Sequence, residues 1–139
     1  AIVHGDVSAV EESVQVGEKE AGEFYVDSMV IPNVDAGVFP AITGATMPER
    51  IGAIGIMESF SISTMIICAD QILKAADVES IELRLGNGLG GKSYFTFTGD
   101  VSAVQAGSSA GVAIAKEKGL LVNSEVIPSP SHRLIESLL

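Results

Sequence analysis

Between Ile51 and Met57 every side chain is apolar or absent, which predicts a short buried strand. The period then changes. Ile62, Met65, Ile66, Ala69, Ile72, Leu73 and Ala76 recur at intervals of mostly three and four, the spacing of one helix face, and the hydroxyls of Ser59–Ser63 stand ready to cap it. From Glu79 to Leu85 polar and apolar residues alternate, as in a half-buried strand. Gly86 to Gly91 is a glycine-rich loop, and the aromatic, β-branched run Tyr94–Thr98 completes a hairpin.

A second helix follows. Asp100 stands at its N-cap position, where a carboxylate accepts from the free amides of the first turn. Val101, Val104, Ser108, Val112 and Ala115 share one face, and Lys116-Glu117-Lys118-Gly119 reads as a C-terminus. Leu120–Ile127 is a predicted strand stopped by Pro128 and Pro130, and Ser131–Leu139 a short terminal helix. The order β-α-β-β-α-β makes residues 49–139 an α/β (α+β) domain with the ferredoxin-like split motif.

The chain also repeats itself. Gly5-Asp6-Val7-Ser8-Ala9-Val10 returns as Gly99–Val104, and Val26-Asp27-Ser28-Met29-Val30-Ile31-Pro32 returns as Val122-Asn123-Ser124-Glu125-Val126-Ile127-Pro128. A period this long is a whole domain and not a solenoid unit. Residues 1–44 therefore correspond to the back half of a domain: a strand remnant at Ala1–Val3, a helix from Asp6 to about Gly22, a strand over Phe24–Ile31 and a tail. Residues 45–48 form the linker. The counterpart of Ile51–Tyr94, about 44 residues, is missing ahead of Ala1, so Ala1 is expected not to be the translational start. Half a split motif leaves one face of its helix uncovered and is expected to be unstable or to borrow a partner.

The net charge of −10 and the scatter of only eight Lys and Arg argue against a nucleic-acid partner. No apolar run reaches the 18 residues a membrane span needs, and Ala1 opens no signal sequence. A single cysteine, Cys68, excludes a disulfide within the chain and fits a reducing cytoplasm. An apolar fraction of 47% fits either a dense core or a large subunit interface.

Three motifs match in letters only. Gly86-Asn87-Gly88-Leu89-Gly90-Gly91-Lys92-Ser93 fits the phosphate-loop pattern, but that loop works at a helix N-terminus, and the residues after Ser93 read as a strand. The same loop fits G-x-G-x-x-G through Gly86, Gly88 and Gly91 and meets the same objection. Gly107-Ser108-Ser109-Ala110-Gly111 fits the hydrolase elbow, but lies in mid-helix, where small residues suit close packing. His4 and His132 have no catalytic companion near them in sequence, so no catalytic residue is assigned. Cys68 reads as a small buried hydrophobe. Asp6 and Asp100 read as duplicated helix caps. Ile67 and Lys74 lie off the apolar stripe of their helix and read as a contact surface.

These residues together resemble the shell-protein (BMC) domain of bacterial microcompartments. The resemblance is carried by Ile54-Gly55-Ile56-Met57-Glu58-Ser59, Ala69-Asp70, Lys74-Ala75-Ala76-Asp77-Val78, the glycine loop, Gly99–Val104 and Val126-Ile127-Pro128-Ser129-Pro130. It covers nearly all of residues 49–139, and residues 1–42 resemble the second half of the same domain. Two such domains in tandem, with Val26–Pro32, Asn33 and Phe39–Ile42, look like the diol-utilising type. The resemblance implies a structural protein without catalysis, forming a homotrimer that imitates a hexagon and meets other shell proteins edge to edge in the cytoplasm. Gly86, Asn87, Gly88, Leu89, Gly90 and Gly91 would line a central pore for small metabolites or electrons. Lys74 would stand at the tile edge, with Ile67 beside it. Ser129 replaces the usual edge arginine and Ser131 a histidine, so that His132 comes one residue late. Some relatives of this type hold an iron–sulfur cluster on the threefold axis through pore-loop cysteines. The loop here has none, so a cluster would require cysteine in the first-copy loop. The alternative reading is a ferredoxin-like nucleotide- or phosphate-binding module using Gly86–Ser93.

Overall fold

A computed structural model describes residues 1–44, 46–86, 88 and 90–138. Contacts divide the chain into two compact units, Ala1–Val34 and Asp35–Leu139.

In the second unit the predicted elements all form. They are β1 (Ala53–Ser59), α3 (Ile62–Ala75), β2 (Val78–Leu85), β3 (Ser93–Gly99), α4 (Val101–Glu117), β4 (Leu121–Ile127) and α5 (His132–Leu138), preceded by the short helix α2 (Val38–Thr43). The sheet order is β2-β3-β1-β4, and every neighbouring pair is antiparallel. β3 thus separates the parallel strands β1 and β2, which is the split ferredoxin-like topology. Ser61 caps α3 by accepting a 3.2 Å hydrogen bond from the Thr64 amide. Gly119, at φ 68°, follows the last turn of α4.

Both long helices pack against one another and the sheet. Ile54, Met57, Met65, Cys68, Ile72, Ile81, Leu83, Phe95, Phe97 and Val104 are fully buried among them. Close approach is possible because α4 presents glycine there. A Cβ on Gly111 would lie 2.7 Å from Ile72 Cδ1 and 2.9 Å from Met57 Sδ, and one on Gly107 would lie 3.0 Å from Ile72 Cγ2. The mid-helix Gly107–Gly111 segment is thus a packing device. The buried face of α4 is Val104, Gly107, Ser108, Gly111 and Ala115. Val101 lies outside it, at the exposed first turn.

β2 departs from strict alternation. Ser80 and Ile81 are both buried, because the register shifts between Ser80 and Glu82. Such a bulge places two residues opposite one and re-aims those after it. The Ile81 carbonyl accepts from the Thr46 amide at 2.7 Å, while Ser80 donates to Gly37 O at 2.8 Å. The segment carrying α2 therefore straps the edge of β2, with Val38 and Ala41 buried beneath it. This segment, read from the repeat as the first copy's tail, packs as part of the second unit. Its helix carries no caps legible in sequence.

In the first unit α1 spans Val7–Ala21 and ends in a 3₁₀ turn, Gly22–Phe24. The strands expected at Ala1–Val3 and Phe24–Ile31 do not form. The reason is pairing. β4 exists in the second unit because β1 lies beside it, and this sequence contains no counterpart of β1 for the first copy. A lone strand has no ladder to join. Asp6 and Asp100 occupy N-cap positions with extended backbones, yet neither side chain accepts a cap hydrogen bond. Their role as caps is conformational and electrostatic only.

Candidate functional site: the glycine loop and the helix α3 surface

The loop at the tip of the β2–β3 hairpin contains Gly86, Gly88, Gly90 and Gly91, whose φ values lie at 70°, 73°, 63° and 86°. Only glycine adopts this left-handed region freely, so the sequence Gly-x-Gly-x-Gly-Gly is a requirement of the turn itself. At Gly86 a Cβ would also lie 2.9 Å from Ile62 Cδ1. Asn87 and Leu89 lie outside the described residues. The described part of the loop offers backbone amides and carbonyls and no side-chain chemistry.

This geometry removes the physical basis of the nucleotide-binding alternative. Ser93 opens a strand, so the loop does not run into a helix N-terminus as the phosphate loop must. Lys92 is engaged by Glu58 of β1 in a 2.7 Å ion pair. Ser93 Oγ is buried without a hydrogen-bond partner, and so is turned away from any solvent-borne phosphate.

Beside the loop, Glu82 gathers two partners. Its Oε1 accepts from Arg84 Nη2 at 2.7 Å, and its Oε2 accepts from Tyr94 Oη at 2.7 Å. The Arg84 guanidinium lies 5.7 Å from the centroid of the Tyr94 ring. Partial burial, and then the hydrogen bond to Glu82, hold the Tyr94 phenol above its ordinary pKa. Cross-strand pairing of Arg84 with Tyr94 places these groups together. Sequence reasoning missed this cluster, since it depends on the bulge-shifted register.

On α3, Lys74 is exposed and its Nζ donates to Asp70 Oδ2 at 2.7 Å. Asp70 is itself buried, and its Oδ1 accepts from the Asp35 amide at 2.7 Å. Asp35 Oδ1 accepts in turn from the Gly37 amide at 2.8 Å. The (i, i+4) spacing of Asp70 and Lys74 was the available signal for this pair. Ile67 is half-buried, and not the exposed contact residue expected from its place off the apolar stripe. Packing of α3 against its neighbours covers more than one stripe. Ser129 is exposed in the bend after β4. His132 opens α5, with Nδ1 3.2 Å from Glu136 Oε1. Lys74, Ser129 and His132 thus stand on three separate elements.

Cys68 points into the core, where its thiol donates to Gly111 O at 3.4 Å. Burial pushes the thiol up to about 11. The loop 86–91 has no cysteine and Cys68 is enclosed between α3 and α4, so neither offers a thiolate ligand at the hairpin tip. Among the described residues no group of three His, Cys, Asp or Glu is placed to hold a metal, and no helix is long and apolar enough to cross a membrane.

Comparison with known proteins agrees with this geometry. The family description "BMC domain" matches residues 1–34 and 53–130. The chain is 41% identical over 130 residues to the bacterial microcompartment shell protein PduT of Citrobacter freundii, covering 94% of this chain and 71% of that protein. It is 31% identical over 152 residues to the carboxysome assembly protein CcmO of Synechococcus elongatus, of which it spans 54%. The crystal structure of a microcompartment protein from Desulfitobacterium hafniense superposes with a TM-score of 0.89 at 45% identity, over 95% of this chain and 73% of that one. The antiparallel sheet, the two helices packed on it, the glycine-tipped hairpin and these likenesses have one common meaning: this chain belongs to the BMC-domain family of bacterial microcompartment shell proteins.

Proposed function

We propose that the protein is a tiling subunit of the shell, in which three chains close into a pseudohexamer and other shell proteins join at its edges. The observation that carries this is the presence of two BMC-type segments on one chain, residues 1–34 and 53–130. A hexagonal tile built from such domains in tandem closes with three chains. In this reading the Gly86–Gly91 loops meet at the central axis and present backbone dipoles to small metabolites in transit. Transfer of electrons there would need thiolate ligands that this loop lacks. Lys74, Ser129 and His132 lie at the edge, with Ile67 on the same helix as Lys74. The Asp70 carboxylate holds the Lys74 ammonium in place before any neighbour arrives.

Sedimentation equilibrium of the full-length protein tests the closure. A mass of three chains is expected, and a monomer persisting at high concentration would overturn the reading. Electron microscopy of Lys74→Ala tests the edge: trimers should persist while extended sheets are lost.

A further inference from the structure

The strap that carries α2 lies between the two stretches matched by the family description, residues 1–34 and 53–130, and belongs to neither. Its seat is built from polar and apolar contacts together. The Ser80 hydroxyl donates to Gly37 O at 2.8 Å, the Thr46 amide donates to Ile81 O at 2.7 Å, and Val38 and Ala41 are buried. Gly37 is wedged between two elements. A Cβ there would lie 3.3 Å from Leu73 Cδ1 of α3 and 3.6 Å from Ser80 Oγ of β2. The strap thus approaches α3 at the residue next to Lys74.

A further contact with α3 runs through Asp70. One oxygen of that carboxylate holds Lys74 Nζ and the other accepts the Asp35 amide, each at 2.7 Å. The Asp70 side chain is 3% exposed and that of Lys74 is 34% exposed. An ion pair open to water on both sides holds a long side chain weakly, and the attraction grows as a partner is withdrawn from solvent. Here the acid is withdrawn, and a strap amide occupies its second oxygen. With the strap displaced, that oxygen would turn to water and the pair would become an ordinary surface pair. A lysine free to sample rotamers must be ordered when a neighbour binds it, an entropy loss that a lysine already held does not incur.

We propose that the strap sets the strength of the edge contact: seated, it presents Lys74 in one orientation to a neighbouring tile, and displaced, it releases the lysine and weakens tiling. The proposal rests on the reading of Lys74 as an edge residue. The coupling is reciprocal. Loss of the ammonium leaves a buried carboxylate with less compensation, which favours opening of the strap to admit water.

Two sets of variants of the full-length protein test it. Val38→Ala and Ser80→Ala loosen the strap and alter neither charged residue. In each, the protein concentration at which sheets first appear by electron microscopy should rise about threefold or more, with sedimentation below that concentration unchanged. Lys74→Ala should speed hydrogen exchange at the Asp35 and Gly37 amides by about threefold or more and leave β1 and β3 as they were. Lys74→Arg keeps the charge and should restore most of that protection. Unchanged exchange at the strap in Lys74→Ala, or sheet formation at the wild-type concentration by both strap variants, would overturn the proposal. Sheets formed at the wild-type concentration by Lys74→Ala would overturn the edge reading itself, and the strap's part in tiling with it.

Discussion

Asp70 and Lys74 form a 2.7 Å ion pair in which the acid is buried and the lysine reaches the surface. The same carboxylate receives the Asp35 amide, so one side chain ties a surface cation to the strap that covers the β2 edge. Replacing Asp70 by Ala leaves a part-buried amide without its acceptor, a loss of about 1–3 kcal/mol. Urea unfolding should register that loss. Hydrogen exchange should speed up at residues 35–43 before it does in β1 or β3. Uniform acceleration of all elements would contradict a local latch.

Gly55 lies against the ring of Phe97. A Cβ there would come within 2.3 Å of Cζ, and both residues are buried. The ring also stacks on Phe95 at 5.3 Å, so it has little room to retreat. Gly55→Ala should therefore destabilise the second unit by about 3 kcal/mol or more, the upper range of overpacking costs, read as a lowered Tm.

Cys68 gives a pH dependence with a definite sign. Burial raises its thiol from the ordinary 9.0 to about 11 in the folded chain. Between those two values the unfolded chain has lost a proton that the folded chain keeps. The stabilising contribution is present below pH 9 and lost as pH rises towards 11, by up to roughly 2 kcal/mol. Unfolding stability measured from about pH 8 to 11 should fall more steeply for the wild type than for Cys68→Ala. At about pH 8 the native thiol should resist alkylation and react only on unfolding.

The phosphate-loop look-alike should bind nothing. With Lys92 engaged by Glu58 and a strand beginning at Ser93, calorimetric titration with magnesium-ATP is expected to show no heat of binding. Lys92→Ala removes a partly exposed ion pair and should cost less than about 1 kcal/mol in stability. Tight binding lost in that variant would restore the nucleotide reading.

The second unit was legible in sequence because its signals are local. Helical spacing from Ile62 to Ala76, alternation from Glu79 to Leu85 and the turn glycines each follow from the period of one element and the φ angles it needs. The repeat Gly99–Val104 likewise showed that Asp6 and Asp100 begin helices and are not an acidic site. What sequence could not show is whatever depends on a neighbour far along the chain. Ile67 is half-buried because other elements cover it. Glu82 meets Tyr94 because a bulge shifts the β2 register. Asp35–Thr43 belongs to the second unit because Asp70 and Ser80 hold it there. Val26–Ile31 has the sequence of a strand and forms none. Strand propensity resides in the residues, but a strand exists only when a second backbone accepts its hydrogen bonds, and that is a property of tertiary structure alone.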